Sequence, residues 1–219
     1  MRVLIFGATG MVGQGVLREC LLDERVTEVL TIGRRPTGQA HPKLREVVTA
    51  DLTGVGEPLS QFHACFFCLG VSSVGMGEAQ YRRITYDLTL AVARPLAEAN
   101  HEMTFVYVSG AGTDTTGRMM WARVKGETED ALLALPFHGY AMRPAFIQPM
   151  HGVRSRTFWY RAIYLATSPL SPLMLRVAPR SATTTQRLGR AMIQLALAGS
   201  PKRILDSADI NALATASIH

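Results

Sequence analysis

The sequence has few cysteines and no long uncharged apolar run. One extended stretch of it also lacks acidic residues. Three cysteines in 219 residues, an odd number, argue against a framework of disulfide bonds. Two of them form the motif CFFC, Cys65 to Cys68, within an apolar run typical of a buried strand. Residues i and i+3 of a strand point to opposite faces, so we expect these thiols to pack in the core and not to act as a dithiol.

Other absences exclude further classes of protein. The six histidines lack the spacing of metal ligands, so no metal site built by the protein is expected. The longest weakly charged run, 162–175, is too short to cross a bilayer and contains Pro169 and Pro172. No charged and apolar leader precedes the first apolar run, Val3 to Phe6, which continues directly into glycines. The expected location is therefore cytoplasmic.

The stretch between Asp130 and Asp206 contains no acidic residue, and the formal net charge of the chain is +6. Such a segment carries a positive field that attracts a phosphorylated cofactor, an acidic substrate, nucleic acid or an anionic membrane surface. Solvated surface charge is the alternative. No helix-turn-helix or aromatic-interleaved basic motif favours nucleic acid, so none is expected as a partner, whereas peripheral membrane contact through 159–175 stays open. The basic residues of this stretch are Arg143, Arg154, Arg156, Arg161, Arg176, Arg180, Arg187, Arg190, Lys202 and Arg203.

Short apolar strands alternate with helical patterns up to residue 144. The predicted strands are RVLIF, VTEVLTI, LREVVTA, ACFFCL, TFVYVS and GYAMRP, and the predicted helices are MVGQGVLRECLL, EAQYRRITYDLTLAVARPLAEA and MMWARVKGETEDALL. This alternation predicts an α/β fold with a doubly wound parallel sheet, in which 1–144 form a dinucleotide-binding core. Residues 1–219 are expected to form one domain. Prolines interrupt 145–219, which we predict to be a mostly irregular or helical substrate-side lid with helices near 157–166 and 185–198.

A glycine motif follows the first predicted strand directly. Its spacing G-x-x-G-x-x-G permits a tight turn, close approach of the backbone to a pyrophosphate, and close packing of a helix on a strand. Backbone N–H groups and the positive end of the next helix then face phosphate. A glycine-rich turn without a ligand is the alternative. The residues predicted to contact a dinucleotide here are Gly7, Thr9, Gly10, Met11, Val12 and Gly13.

A basic pair ends the second predicted strand, where NAD-selective folds place an acidic residue. Arg34 and Arg35 can bind a 2′-phosphate through charge-assisted hydrogen bonds, which favours NADP(H) over NAD(H), although a basic surface turn is the alternative. Asp51, after the third strand, can accept a hydrogen bond from adenine or form a turn or helix cap. The remaining predicted contacts after the third and fourth strands are Leu52, Leu69 and Gly70.

These motifs, in this order, resemble the short-chain dehydrogenase/reductase superfamily. More narrowly, GATGMVGQGVL, IGRRP, DL, FCLG, YVSGAG and VKGETEDAL are similar to an atypical group of NAD(P)-binding proteins that includes the Tat-interacting protein. The resemblance covers residues 2–144 well and the remainder loosely. It implies that Ser109 orients a substrate carbonyl and that Lys125 holds the nicotinamide ribose, while Trp121 occupies the position of the catalytic tyrosine.

Trp121 changes the chemistry that this resemblance implies. Indole has one N–H donor and no acceptor, so Trp121 cannot act as a general acid or base. It can stack on the nicotinamide or on a flat substrate, or it can simply pack in the core. Tyr81 and Tyr86, on the helix after the fourth strand, are alternative proton donors.

Two functions fit the sequence. The first is an NADPH-dependent oxidoreductase of a small molecule, anionic or aromatic, whose acceptor needs no proton from the enzyme, such as a quinone or flavin. The second is a non-catalytic NADP(H)-binding sensor in which the cofactor changes the loops after Ala145. Arg143 is expected to contact the cofactor or an anionic substrate, or to cap the end of the sheet. Arg154 and Arg156 are weaker candidates for an anion, and the sequence predicts no oligomeric state.

Overall fold

The structure is a computed structural model that describes residues 1–53, 59–152 and 182–216. Its strands are β1 Arg2–Phe6, β2 Glu28–Gly33, β3 Leu44–Val48, β4 Ala64–Phe67, β5 Thr104–Val108, β6 His138–Arg143, β7 Phe146–Gln148, β8 Ala182–Thr184 and β9 Ile204–Asp206. Seven of them form one sheet in the order β3-β2-β1-β4-β5-β6-β9, and every neighbouring pair in it is parallel. The predicted doubly wound parallel sheet is confirmed.

Described helices connect β1 to β2, β4 to β5, β5 to β6 and β8 to β9, and a last helix follows β9. They are α1 Met11–Leu22, α2 Glu78–Arg82, α3 Leu88–Ala99, α4 Met120–Leu133, α5 Thr185–Ala198 and α6 Ser207–Ala216. A π-helical turn, Arg83–Asp87, joins α2 to α3, so the single long helix predicted over this segment contains one wider turn. A short 3₁₀ turn, Leu59–Gln61, precedes β4.

Two apolar clusters cover the two faces of the sheet. Alternate residues of β1 contribute to each: Val3 and Ile5 pack with α1 and α5, whereas Leu4 and Phe6 pack with α3. The CFFC motif divides in the same way, because Cys65 belongs to the second cluster and Cys68 packs against the first. Val3 to Phe6 of β1 and all of β4 are apolar because both faces of these central strands are buried.

The segment after residue 144 contains more regular structure than we predicted. The helix predicted near 185–198 is confirmed as α5, but β7, β8, β9 and α6 were missed. β7 pairs with β8 in a separate two-stranded sheet, and β9 adds to β6 at the edge of the main sheet. The helix predicted near 157–166, the segment 159–175, Arg154 and Arg156 lie outside the described residues. Among the described residues, no helix has the length and apolarity needed to span a bilayer.

Candidate cofactor-binding site

The glycine motif forms a tight turn at the carboxyl end of β1. Gly7 has a φ of +80°, and a Cβ on it would lie 2.8 Å from the carbonyl group of Cys68. A Cβ on Gly13 would overlap the carbonyl oxygen of Gly7. These two positions therefore require glycine, because the turn and the first turn of α1 pack directly on neighbouring backbone.

The first turn of α1 is open to an anion. Gly10 occupies the N-cap position, no side chain caps the helix, and its first turn contains no acidic residue. The backbone N–H of Gly10 donates to the Gly7 carbonyl at 2.9 Å, which holds the turn closed beneath the helix. Uncapped N–H groups at the positive end of a helix are a suitable site for a phosphate group.

A cavity of about 320 Å³ extends from this turn toward β2, over the carboxyl ends of the strands. It lies beside the β1–β4 crossover, where strand order reverses and ligands bind in open α/β sheets. Residues from four separate sequence motifs meet there. The lining consists of Gly7, Ala8, Thr9, Thr31, Ile32, Gly33, Arg34, Arg35, Thr37, Leu52 and Leu69.

The lining includes several predicted contacts and two threonines that sequence reasoning missed, Thr31 and Thr37. Asp51 is not part of it. Its carboxylate accepts hydrogen bonds from the backbone N–H of Thr53 at 2.9 Å and from the Thr53 hydroxyl at 2.6 Å, so it forms the local turn that was the alternative. Gly70 is exposed and also lies outside the lining.

Arg34 and Arg35 give this cavity a positive rim. Both side chains are exposed at the end of β2. Neither forms an ion pair with any residue in the described ranges. Their charges are therefore available to a ligand that carries phosphate.

Lys125 lies at the second end of the site, on α4 beside β5. Its ammonium is 3.5 Å from the Val108 carbonyl oxygen and 5.3 Å from the centre of the Tyr107 ring. Burial lowers the pKa of Lys125 from 10.5 to about 8, and the negative charge of Glu129 opposes that shift. The ammonium faces the ring of Tyr107, which is buried, and burial raises the pKa of this tyrosine. No described contact joins Lys125 to a tyrosine hydroxyl.

Ser109 makes its hydrogen bond within its own loop. The Ser109 and Thr113 hydroxyl oxygens are 3.0 Å apart, and the Thr113 hydroxyl donates to the Gly110 carbonyl at 2.8 Å. Because Thr113 has a single hydroxyl proton, Ser109 is the donor in the pair. The Ser109 proton thus points to Thr113, and it would have to redirect to orient a substrate carbonyl.

Trp121 is half-buried and belongs to neither apolar cluster. Its indole contacts the loop between β5 and α4 at Gly112, which has a φ of +83°. A Cβ on Gly112 would lie 3.3 Å from the indole Cη2. The indole therefore packs on the loop that follows Ser109, outside both apolar clusters.

Arg143 is paired with a buried carboxylate. Its Nε donates to both oxygens of Glu129, at 3.1 and 3.0 Å, and its Nη2 donates to one of them. Glu129 is fully buried, whereas 30% of the Arg143 side chain is exposed. Sequence reasoning missed Glu129, although its position one helical turn after Lys125 was a signal that could have found it.

The alternative tyrosines do not form an evident acid. Tyr81 is buried, and burial raises its pKa, the opposite of the change that a tyrosine acid–base catalyst needs. Tyr86 packs its ring beneath the Arg82 guanidinium, 4.5 Å from the ring centre. Within the described ranges, no hydrogen bond joins Tyr81 or Tyr86 to Ser109 or Lys125.

A parallel sheet with a glycine turn, an uncapped helix and a cavity over the strand ends defines a dinucleotide-binding α/β protein. The chain belongs to the NAD dependent epimerase/dehydratase family, whose model matches residues 3–135. The structure of WbmF from Bordetella bronchiseptica in complex with NAD⁺ has the same fold, with a TM-score of 0.68 at 16% identity over 99% of this chain and 77% of that one.

Two curated relatives are fungal proteins with mitochondrial names. Protein fmp52 of Emericella nidulans is 30% identical over 156 residues, 66% of each chain. Protein fmp52-2 of Neosartorya fischeri is 31% identical over 151 residues, 65% of each chain. The match therefore spans just under two thirds of the relatives' own length. The expectation of a cytoplasmic location is wrong by this comparison, since both relatives are described as mitochondrial.

Proposed function

We propose that this chain is an NADPH-dependent oxidoreductase whose small-molecule acceptor takes its proton from water and not from a tyrosine. The observation that carries the proposal is the cavity that joins the glycine turn to Arg34 and Arg35 at the end of β2. Gly7 and Gly13 support the proposal, because a Cβ at either position would collide with neighbouring backbone and prevent the tight turn of a dinucleotide-binding motif.

The cofactor preference follows from the charges at the end of β2. Arg34 and Arg35, which form no ion pair with a residue that the structure describes, supply two guanidinium groups where an acidic residue would repel a 2′-phosphate. The NAD⁺ bound to WbmF does not decide this point, because that protein is only 16% identical. We therefore assign NADP(H) as the cofactor.

The proposed reaction requires little proton chemistry from the protein. NADPH, when bound, supplies a hydride with two electrons to a quinone or flavin and leaves as NADP⁺. The acceptor then takes a proton from water, which balances the reaction and makes a hydroquinone or a reduced flavin. Lys125 would hold the nicotinamide ribose through its ammonium, and Trp121 would provide a flat wall beside the acceptor.

A non-catalytic NADP(H) sensor is the second candidate. The hydrogen bond from Ser109 to Thr113 and the contact of Lys125 with the Tyr107 ring favour it, because both groups are already engaged. In that function the cofactor would alter the segment after Ala145 and hence a partner surface.

Turnover distinguishes the two candidates. NADPH oxidation is followed by absorbance with quinone, flavin and aldehyde acceptors. We expect turnover with a quinone or flavin, none with an aldehyde, and its loss in Lys125→Ala. Lys43→Ala is the matched control, since the Lys43 ammonium bonds the Asp23 carbonyl before β3 begins. Micromolar NADPH binding without turnover on any acceptor would exclude the oxidoreductase and leave the non-catalytic sensor. Failure to bind NADPH would exclude both candidate functions.

The similarity to the group that includes the Tat-interacting protein stays a prediction, and the shared motifs support it.

The names of the fungal relatives support a mitochondrial location. Cell fractionation with an antibody to this chain tests that location, and recovery in the cytosolic fraction alone would contradict it.

A further inference from the structure

Glu46, on the edge strand β3, holds the turn that carries the two arginines. Its Oε2 accepts a hydrogen bond from the backbone N–H of Thr37 at 2.8 Å, and its Oε1 accepts one from the Thr37 hydroxyl at 3.0 Å. The hydroxyl of Thr31, in the strand beside it, lies 3.5 Å from the same Oε2. Thr31 and Thr37 both line the cavity, so Glu46 supports its wall from behind.

The turn after β2 is closed by further hydrogen bonds. The Thr37 hydroxyl accepts from the backbone N–H of Gln39 at 3.2 Å while it donates to Glu46. The backbone N–H of Thr49, at the end of β3, donates to the Gly33 carbonyl at 2.9 Å. Pro36 fixes its own φ and restricts Arg35 to extended backbone. The arginines are thus carried on a turn with little freedom to rearrange.

The same hydrogen bonds determine which donors the Glu46 carboxylate contacts. Its carboxylate lies against the arginine turn, where an ion pair with Arg34 or Arg35 would cancel a positive charge at the cavity. Thr37 supplies two donors to that carboxylate instead. Among the residues that the structure describes, Arg34 and Arg35 keep no carboxylate partner.

We propose that Glu46 and Thr37 are specificity-determining positioning residues that hold Arg34 and Arg35 free for the 2′-phosphate of NADP(H). The inference rests on the proposed preference for NADP(H). Neither residue binds the phosphate itself; both act through the arginine turn. Their loss should therefore weaken binding of ligands with a 2′-phosphate and leave other ligands nearly unchanged.

Dissociation constants of NADPH, NADH and adenosine 2′,5′-bisphosphate test this proposal on the whole chain. Glu46→Ala should weaken NADPH and the bisphosphate on the order of ten-fold and NADH by less than about two-fold, since it removes two hydrogen bonds to a charged group. Thr37→Val, which keeps the shape of the side chain, should weaken NADPH about three-fold. The double variant should lose no more than Glu46→Ala, because both changes remove the same interaction.

Glu28→Gln is the matched control. Glu28 begins β2 and pairs with Arg2 at 2.7 Å and Arg45 at 3.0 Å, away from the cavity lining. The ratio of NADH to NADPH dissociation constants should not change in this variant. Thermal unfolding of all variants verifies that each is folded at the temperature of the titration.

Three results would overturn the inference. Tighter NADPH binding in Glu46→Ala would mean that the carboxylate only repels phosphate. Equal losses for NADPH and NADH would mean that Glu46 acts on the fold and not on specificity. A wild type that does not prefer NADPH would overturn the proposed cofactor and this inference together, whereas either of the first two results would overturn the inference alone.

Discussion

The two ends of the site differ in whether their polar groups already have partners. At the end formed by β1 and β2, the first turn of α1 is uncapped and Arg34 and Arg35 have no ion pair within the described ranges. At the end formed by β5 and α4, Ser109 donates to Thr113 and Arg143 is paired with Glu129. The groups named at the first end are open to a ligand, whereas Ser109 and Arg143 at the second are already bonded within the chain. The chain is thus better prepared to bind a dinucleotide than to transfer a proton.

The largest effect on NADPH affinity is expected at the glycine turn, where Gly13 packs against neighbouring backbone. Gly13→Val would force a side chain into the Gly7 carbonyl oxygen, displace α1 and weaken NADPH binding by more than about a hundred-fold, because overpacking moves backbone. Gly77→Ala is the control, since a Cβ at Gly77 meets no atom within 4 Å. Calorimetric titration measures both, and NADPH affinity retained in Gly13→Val would contradict the assignment of the turn.

At the end formed by β5 and α4, breaking the ion pair between Glu129 and Arg143 should have the largest effect on the free energy of unfolding. Glu129→Gln leaves the Arg143 guanidinium without its buried counter-charge, which should cost about 3 kcal/mol in the free energy of unfolding. Glu127→Gln should cost less than about 1 kcal/mol, because the Glu127–Arg82 pair is exposed. Urea unfolding followed by circular dichroism gives both values. Equal losses would show that burial does not distinguish the two pairs.

The protonation state of Lys125 should make the free energy of unfolding depend on pH. Its folded pKa of about 8 lies below the ordinary 10.5, so between these values the folded chain loses the proton that the unfolded chain keeps. The cost of burying the charge is present below pH 8 and disappears as pH rises to about 10.5. Relative to Lys125→Met, the wild type should therefore gain stability over this range.

NADPH affinity should change in the opposite direction over the same range. It should fall about ten-fold as pH rises through 8, because the ammonium that holds the ribose is lost. Lys125→Met should bind NADPH more weakly, and its affinity should not show this fall as pH rises through 8. Titrations and urea curves between pH 6 and 10 measure both quantities. A wild type and a variant with parallel profiles would contradict the role of the lysine.

The smallest effect is expected from restoring the tyrosine. Trp121→Tyr should raise aldehyde reduction only a few-fold above background, because Ser109 still donates to Thr113. Adding Thr113→Val should raise it further by freeing the serine hydroxyl. Trp121→Phe is the control for loss of the indole alone. If the phenylalanine variant gains as much activity as the tyrosine variant, the position does not correspond to a proton donor.

The sequence was sufficient to predict six of the seven strands of the main sheet, mainly because its central parallel strands are apolar on both faces. The continuous runs of β1 and β4 and the helical spacing of α1 and α4 leave little choice of element type. β7, β8 and β9 have three residues each, too few to show a period, and prolines surround them. Their positions depend on tertiary pairing, which the sequence pattern does not contain.

The residues that line the cavity were easier to predict from the sequence than the pairs of side chains that bond to each other. Carboxyl ends of parallel strands meet at one edge, so Gly7, Arg34 and Leu69 were expected near one another and line one cavity. The bonds from Arg143 to Glu129 and from Ser109 to Thr113 join side chains by geometry that no short motif encodes. Glu46 was missed because its partner Thr37 lies in a turn without periodicity.

A crystal structure of the chain with NADP⁺ bound tests the comparison between the two ends most directly. The account predicts the 2′-phosphate within hydrogen-bond distance of Arg34 and Arg35, and the Lys125 ammonium on the nicotinamide ribose with no tyrosine hydroxyl beside the nicotinamide. A 2′-phosphate in solvent away from both arginines, or the Tyr81 or Tyr86 hydroxyl next to the nicotinamide C4, would contradict it.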